Sequence, residues 1–180
     1  MDYQTIIDKY YPAGSPLRDI YMRHCRQVAD LALDIADRLD LDVDRADVEA
    51  AAMLHDIGIV LTDAQGIHCH GSMPYIMHGV AGAGILREEG VSETIASVAE
   101  RHTGAGITAD DIRQMSLLMP PGDYMPRNLL ERLVCYADKF YSKSGDMQRK
   151  PLERVRGSMS RLGERSLTRF EALHAEFTPV

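Results

Sequence analysis

Residues 53–58 read MLHDIG, and the pair His55-Asp56 inside this stretch decides how the rest of the chain is interpreted. The stretch continues the apolar positions Val48 and Ala52, so the spacing predicts that it closes an amphipathic helix. An imidazole and a carboxylate on an apolar helix face cost several kcal/mol unless a partner compensates for their burial. A bound cation is the simplest partner for two such adjacent side chains.

Four other segments place a histidine or an aspartate on the apolar stripe of a predicted helix. These side chains are His24, His78, His102 and Asp138. A single buried histidine is more often a hydrogen-bonded core residue than a ligand, but six such residues on five segments indicate a common centre. Imidazole and carboxylate together suit Fe, Mn, Zn, Co or Ni better than soft metals. We therefore expect one or two divalent transition metal ions as cofactors.

The ligands divide naturally around one carboxylate. An aspartate at a helix end can bridge two metals with one oxygen to each, and Asp56 is placed to do so. His24 and Asp138 would then complete one metal site with His55, and His78 and His102 would complete the other. Two metals held in this way suit the hydrolysis of a phosphate ester or anhydride by activated water.

Helical periodicity dominates the sequence and strand alternation is absent, which predicts an all-α domain of about seven or eight helices. The spacing predicts a short helix over 2–10 and a long one along the stripe from Leu17 to Leu39. Asp44 is expected to cap the helix that carries His55, and Gly58 is placed to end it. Residues 58–73 are predicted to form a loop.

The remaining helices carry the other candidate ligands. Pro74 is expected to open the helix of His78, where the small residues 81–84 would let a neighbouring helix approach closely. Ser92 is expected to cap the helix of His102. The chain is predicted to be a single domain over 1–180, with the metal-site core at about 17–142 and a basic C-terminal helix over about 151–177.

Composition and charge exclude several classes of function. The net charge of −7 and the pI of about 5.4 argue against a nucleic-acid partner. Neither a membrane span nor a signal peptide is expected. Three widely spaced cysteines argue against a disulfide framework and favour a cytoplasmic protein. The basic stretch 149–169 is interpreted as a solvated face, a contact between two subunits of a homodimer, or a wall for an anionic substrate.

The pattern H…HD…H…H…D resembles the dinuclear members of the HD superfamily of metal-dependent phosphohydrolases. The segments HGVAGAGIL (78–86), RHTGAGIT (101–108) and CYADKFYS (135–142) are similar to segments of the bacterial HD-type diadenosine tetraphosphate hydrolases. The resemblance covers about 17–142. It implies an all-helical HD-domain bundle with iron as the first choice of metal, and all six residues as ligands.

The resemblance implies a hydrolase that acts on a small phosphorylated substrate, with a nucleotide as the preferred class. Asp56 would be catalytic, because it bridges the metals and positions the attacking water. Alternatives within the same fold are a mononuclear nucleoside monophosphatase and a diadenosine tetraphosphate hydrolase. A dinuclear-iron oxygenase of HD type and a non-catalytic regulatory domain that binds a nucleotide or a metal are further alternatives.

Substrate contacts are less clearly marked in the sequence. Lys139 follows a candidate ligand and is a candidate for both catalysis and phosphate binding. Further candidates are Arg101 next to His102, Arg18 near the mouth of a pocket, Tyr75 as a stacking ring, and His70 in the loop between two ligand helices. A surface or packing role is the alternative for each of them.

One departure from the resembled family concerns phosphate recognition. Many HD phosphohydrolases carry a basic residue shortly after the HD pair, and here Ile59 occupies that place. The substrate therefore does not follow from the resemblance.

Overall fold

The computed structural model describes residues 2–178, which form nine α-helices, three short 3₁₀ segments and a two-stranded hairpin. The α-helices are α1 (Tyr3–Tyr10), α2 (Pro16–Arg38), α3 (Arg45–Leu54), α4 (His78–Glu88), α5 (Glu93–Arg101), α6 (Ala109–Met115), α7 (Leu129–Asp138), α8 (Leu152–Arg161) and α9 (Glu164–Phe177). The 3₁₀ segments are Ile57–Leu61, Gln65–Ile67 and Tyr75–Met77, and the strands are β1 (Asp63–Ala64) and β2 (Cys69–His70). The all-α class predicted from the sequence is confirmed.

Side-chain caps fix where several helices begin. Asp2, Ser15, Asp44 and Asn128 each accept a hydrogen bond from a backbone N–H group in the first turn of α1, α2, α3 and α7. Each cap of this kind stabilises a helix by about 1 kcal/mol. The predicted cap at Asp44 is therefore confirmed, whereas Ser92 precedes α5 without a side-chain cap hydrogen bond.

The C-terminal part differs from its prediction as one helix over 151–177. It forms two helices, α8 and α9, which are separated by Leu162 and Gly163. Gly163 has φ of 115°, which a helix cannot contain and which glycine tolerates best. This break raises the number of α-helices above the seven or eight that the periodicity suggested.

The predicted loop over 58–73 also contains regular structure. It begins with a 3₁₀ segment and includes the hairpin, in which Asp63 lies opposite His70 and Ala64 opposite Cys69. Strands of two residues are too short to show an alternating pattern, so the sequence gives no sign of them.

The core packs the ligand-bearing helices against one another. α2 contacts α3 and α7, while α5 contacts α3, α4 and α7. A continuous set of buried apolar side chains runs from Ile7 in α1 to Phe177 in α9. No helix within residues 2–178 is long and apolar enough to cross a membrane.

Gly58 has a different role from the helix termination predicted for it. α3 already ends at Leu54, and Gly58 lies in the following 3₁₀ segment. A Cβ atom on Gly58 would lie 2.2 Å from the carbonyl oxygen of His78 and 2.3 Å from the amide nitrogen of Gly82. The backbones of the 3₁₀ segment and α4 therefore touch directly, which confirms the close approach predicted for the small residues of α4.

Candidate metal centre

The structure brings the six predicted ligands together at one buried place, close to the ends of four helices. His55 and His102 are the C-caps of α3 and α5, Asp138 is the last residue of α7, and His78 is the first residue of α4. His24 extends from the buried face of α2. The side chain of Asp138 is 12% exposed, and those of the other five are at most 6% exposed.

The first group contains His24, His55, Asp56 and Asp138, with one potential ligand atom of each lying within 4.8 Å of the others. His24 Nε2 lies 3.0 Å from Asp138 Oδ1, 3.2 Å from Asp56 Oδ2 and 3.3 Å from His55 Nε2. Separations of this size suit atoms that share one cation.

The second group contains Asp56, His78 and His102. The Nε2 atoms of the two histidines are 3.0 Å apart, and they lie 3.6 Å and 3.4 Å from Asp56 Oδ1. Asp56 therefore directs Oδ2 to the first group and Oδ1 to the second.

Backbone carbonyl groups orient three of the imidazoles. The Nδ1 atoms of His55, His78 and His102 lie 2.6–2.7 Å from the carbonyl oxygens of Ala52, Tyr75 and Ala99. Each Nδ1 therefore donates its proton to a carbonyl three residues earlier. This leaves Nε2 as the atom that faces the centre, which is the arrangement seen around metal-ligating histidines.

The carboxylate of Asp56 has few partners within the described residues. Among the described residues, neither oxygen of Asp56 accepts a hydrogen bond of good geometry, although Lys143 Nζ lies 2.6 Å from Oδ2. Two Nε2 atoms about 3 Å apart, each with its lone pair inward, repel one another without a cation or a proton between them. The donor set therefore fits one or two divalent metals.

Burial and neighbouring charges shift the pKa values of some of these residues towards the protonation state that a metal ligand needs, which is a neutral imidazole or an ionised carboxylate. Burial lowers the pKa of His78 to about 3, and His102 acts in the same direction. Burial opposes the charge of Asp56, but Lys143 and His55 outweigh it and hold the pKa of Asp56 well below its ordinary value. Burial also opposes the charge of His55, yet Asp56 keeps the pKa of His55 raised, so a bound metal would have to displace a proton there.

Lys143 is the residue at the centre that the sequence interpretation missed. Its ammonium group pairs with Asp56 and lies 5.9 Å from the centre of the Tyr75 ring. Lys143 belongs to the irregular segment after α7, where no periodicity indicates which side chains turn inward. Its only sequence signal is its position five residues after Asp138.

Lys139 lies at the centre, as predicted. Its Nζ donates to Asp138 Oδ2 at 2.7 Å and to the His102 carbonyl oxygen at 2.9 Å. Together the two contacts link the end of α7 to His102 at the end of α5. Lys139 therefore positions Asp138. Its role in catalysis stays a prediction.

The other predicted substrate contacts lie in different places. Tyr75 stacks on the His78 ring with centroids 4.7 Å apart and borders both cavities described below. Arg18 is bound to Asp8 and to the Tyr11 carbonyl oxygen, so it fastens α1 to α2.

Arg101 is likewise engaged away from the centre. It donates to Glu131 at 2.8 Å. His70 is exposed on β2. Arg18, Arg101 and His70 line neither of the two cavities that lie beside the cluster.

Two cavities open beside the cluster. The first has a volume of about 550 Å³ and is bordered by His78, His102 and Asp138, with Lys139, Lys143 and Lys150 in its wall. The second, of about 600 Å³, is bordered mainly by apolar side chains of the α6 region and by the start of α9. Ile59 is fully buried in the core and borders neither cavity.

Fold and site together define an all-α protein built around a cluster of histidines and aspartates suited to divalent metals. The family model of the HD domain matches residues 21–142, and the chain therefore belongs to the HD domain family. The resemblance drawn from the sequence is thus confirmed at the level of the superfamily, while the likeness to diadenosine tetraphosphate hydrolases finds no support in the comparisons.

The chain is similar to curated proteins of archaea. It is 34% identical to the tRNA (cytidine(56)-2'-O)-methyltransferase of Thermoplasma volcanium, over 99% of this chain and 47% of that protein. The same enzyme of Picrophilus torridus is 36% identical over 69% of this chain and 32% of its own length. An uncharacterised protein of Methanocaldococcus jannaschii is 41% identical over 65% of this chain and 63% of its own. The chain thus spans less than two thirds of the curated relatives it matches.

The fold is similar to two solved structures of the HD domain of the Listeria monocytogenes phosphodiesterase PgpH. The first has a TM-score of 0.56 at 15% identity and covers 96% of this chain and 94% of that one. The second, in complex with cyclic-di-AMP, has a TM-score of 0.54 at 14% identity, with coverages of 96% and 93%. Identities this low show a shared fold.

Proposed function

We propose that this chain is a metal-dependent phosphohydrolase that cleaves a phosphate ester or anhydride, with a nucleotide as its substrate class. The observation that carries the proposal is the placement of Asp56. This carboxylate is fully buried and turns one oxygen to each of two groups of imidazoles. Lys143 compensates for the buried charge at Oδ2, and a metal ion in each group would complete the coordination of both oxygens.

The residues at the centre have different roles in the proposed reaction. His24, His55 and Asp138 would hold one metal, and His78 and His102 the other, with Asp56 shared by both. A divalent metal supplies a lower pKa for water, from about 15.7 towards 7, and neutralises charge on a phosphate. Lys139 keeps Asp138 in place, and Lys143 adds positive charge beside Asp56.

The comparisons support this proposal without naming a substrate. A solved relative in fold is a phosphodiesterase domain in complex with cyclic-di-AMP, which favours a nucleotide for this chain as well. Two relatives in sequence are named as tRNA methyltransferases, but this chain spans under half of each. A cluster of imidazoles and carboxylates suits water activation, and we assign no methyl transfer to it. RNA with a terminal phosphate belongs among the substrates to be tested.

The test is hydrolysis by protein loaded with Fe²⁺, Mn²⁺ or Zn²⁺, compared with protein stripped by a chelator. The panel contains nucleoside monophosphates, dinucleoside polyphosphates, cyclic dinucleotides and a short RNA that ends in a phosphate. We expect metal-dependent product formation from at least one class. If every compound stays intact with every metal, the hydrolase proposal is wrong, and the oxygenase and the regulatory domain that binds without turnover are the remaining candidates.

The dinuclear-iron oxygenase remains the second candidate, because the imidazole-rich donor set suits iron as well as hydrolytic metals. Oxygen uptake by the Fe²⁺-loaded protein in the presence of the same compounds separates the two. Metal content per chain separates the mononuclear from the dinuclear form.

A further inference from the structure

The lysines of this chain are concentrated at one place. The sequence contains four lysines, and three of them, Lys139, Lys143 and Lys150, border the cavity beside the cluster. The remaining one, Lys9, is exposed on α1 and pairs with Glu89. Because the chain is acidic overall, this gathering of ammonium groups marks the cavity as a place for an anion.

The three lysines are held in different ways. Lys139 is tied to Asp138, and Lys143 lies against Asp56. The ion pairs of residues 2–178 do not include Lys150, whose ammonium group is half-buried in the cavity wall. Burial lowers the pKa of Lys150 to about 8, and the charge of Asp138 opposes this shift without cancelling it.

The second cavity adjoins the first and shares part of its wall. Tyr75, His78, Thr103, Gly104 and Leu162 border both. Beyond this shared wall the second cavity is lined by apolar side chains, among them Ile76, Ile107 and Leu117, and by charged side chains of α9, among them Arg165 and Arg169. Both volumes fall within the roughly 300–1,000 Å³ typical of small-molecule sites.

We propose that the two cavities form one substrate site for a phosphomonoester of nucleoside size. The lysine-lined cavity holds the phosphate against the metal centre, and the apolar cavity holds the nucleoside. This inference rests on the proposed hydrolase function, whose substrate it makes specific, but it is tested by binding and not by turnover.

The positive charge around the first cavity favours a phosphomonoester over a phosphodiester. Three ammonium groups and a centre suited to two divalent cations surround one small volume, and a phosphomonoester dianion offers them more negative charge than a diester does. The surface of the second cavity is mostly apolar despite the charged side chains of α9, so a ring system gains from burial there.

The phosphate side is tested with inorganic phosphate and AMP as probes. Titration calorimetry on the metal-loaded protein measures their binding to the wild type, Lys150→Met and the control Lys9→Met, with metal content determined for each. We expect Lys150→Met to bind both probes about tenfold more weakly and to keep its metal, because a hydrogen bond to a charged group is lost. Lys9→Met is expected to match the wild type. Unchanged phosphate binding by Lys150→Met overturns the assignment of the lysine cavity.

The nucleoside side is tested by filling the second cavity. Leu117 borders this cavity, whereas its neighbour Leu118 is 71% exposed and serves as the matched control. We expect Leu117→Trp to weaken AMP binding about tenfold while inorganic phosphate binds as before, and Leu118→Trp to change neither. Equal weakening of AMP by both variants, or by neither, overturns the assignment of the apolar cavity.

The preference for a monoester is tested with the wild type alone. We expect AMP to bind at least about tenfold more tightly than 3′,5′-cyclic AMP, which carries one negative charge in place of two. The opposite order overturns the monoester assignment. If these binding results hold while no compound is hydrolysed, the site assignment stands and the proposed hydrolase function fails.

Discussion

The helices that carry the histidines and aspartates and the segment that follows α7 contribute in different ways to the same site. The ligands lie at fixed positions on or at the ends of packed helices, within the 21–142 range matched by the HD domain family. Lys143 and Lys150 lie just beyond that range, in an irregular segment. The predicted metal ligands therefore lie within the part of the chain that matches the family, whereas two of the three lysines proposed to bind phosphate lie outside it.

The largest effect is expected from a substitution of Asp56, the residue that both groups of ligands share. We expect Asp56→Asn to lower metal affinity by about a hundredfold or more and to abolish metal-dependent hydrolysis, because both groups lose charge at once. Metal analysis after purification and dialysis measures the loss. Asp63→Asn, which alters an exposed carboxylate on β1, is the control. Full metal content in Asp56→Asn would remove the basis of the site.

A second test separates the two groups of ligands. The double variant His78→Ala/His102→Ala leaves His24, His55, Asp56 and Asp138 intact, so we expect metal content to fall from two ions per chain to one. His70→Ala, which changes an exposed histidine of the hairpin, should keep both ions. If the double variant still binds two metals, the second group is not a metal site.

A smaller effect is expected from the segment after α7. Lys143→Met should reduce kcat/KM about tenfold to a hundredfold while metal content stays at the wild-type level, because the lysine contributes charge to the substrate cavity and is not a ligand. Lys9→Met should show wild-type kinetics. If Lys143→Met loses metal, the role of this lysine is instead to hold Asp56 in place for metal binding.

The smallest effect concerns the attachment of α9 to the wall of the apolar cavity. Asp111 accepts hydrogen bonds from Arg169 and from the Thr108 N–H and hydroxyl groups, and Arg169 first and Thr108 next lower the pKa of Asp111 to about 2. Because this value lies below the ordinary 3.8, the stabilisation is complete above pH 4 or so and disappears as the pH falls towards about 2.

We therefore expect Asp111→Asn to lower the free energy of unfolding at pH 7 by about 1 kcal/mol, a figure that allows for solvent screening of this partly exposed pair. The difference from the wild type should shrink as the pH falls from about 4 to about 2. Denaturant unfolding at several pH values measures both effects. Asp110→Asn, which alters the exposed partner of Arg113, is the control. A difference that persists at the lowest pH would contradict the linkage.

The predicted ligands could be found from the sequence because each interrupts a periodic apolar stripe. His24, His78, His102 and Asp138 stand where a core side chain is expected, and a helix of known period fixes which way they point. The structure brings all of them to the same centre. Their role as ligands stays a prediction that metal analysis decides.

The sequence does not predict which way a side chain points in a segment that has no helical or strand periodicity. Lys143 and Lys150 lie in an irregular segment, so their turn towards the cluster could not be inferred. Arg18 and Arg101 are charged and lie near the predicted ligands along the chain, but Asp8 and Glu131 occupy them in the structure. The division between α8 and α9 had a visible signal in Gly163, but the apolar stripe on both sides of it suggested continuity.

The contact between Gly58 and α4 has a consequence for how the two groups of ligands are spaced. Gly58 lies two residues after Asp56, and its backbone touches the carbonyl group of His78, the first residue of the second group. The close approach of Asp56 and His78 therefore depends on the absence of a side chain at position 58. A single methyl group at position 58 would force the start of α4 away from the 3₁₀ segment and would move His78 relative to Asp56.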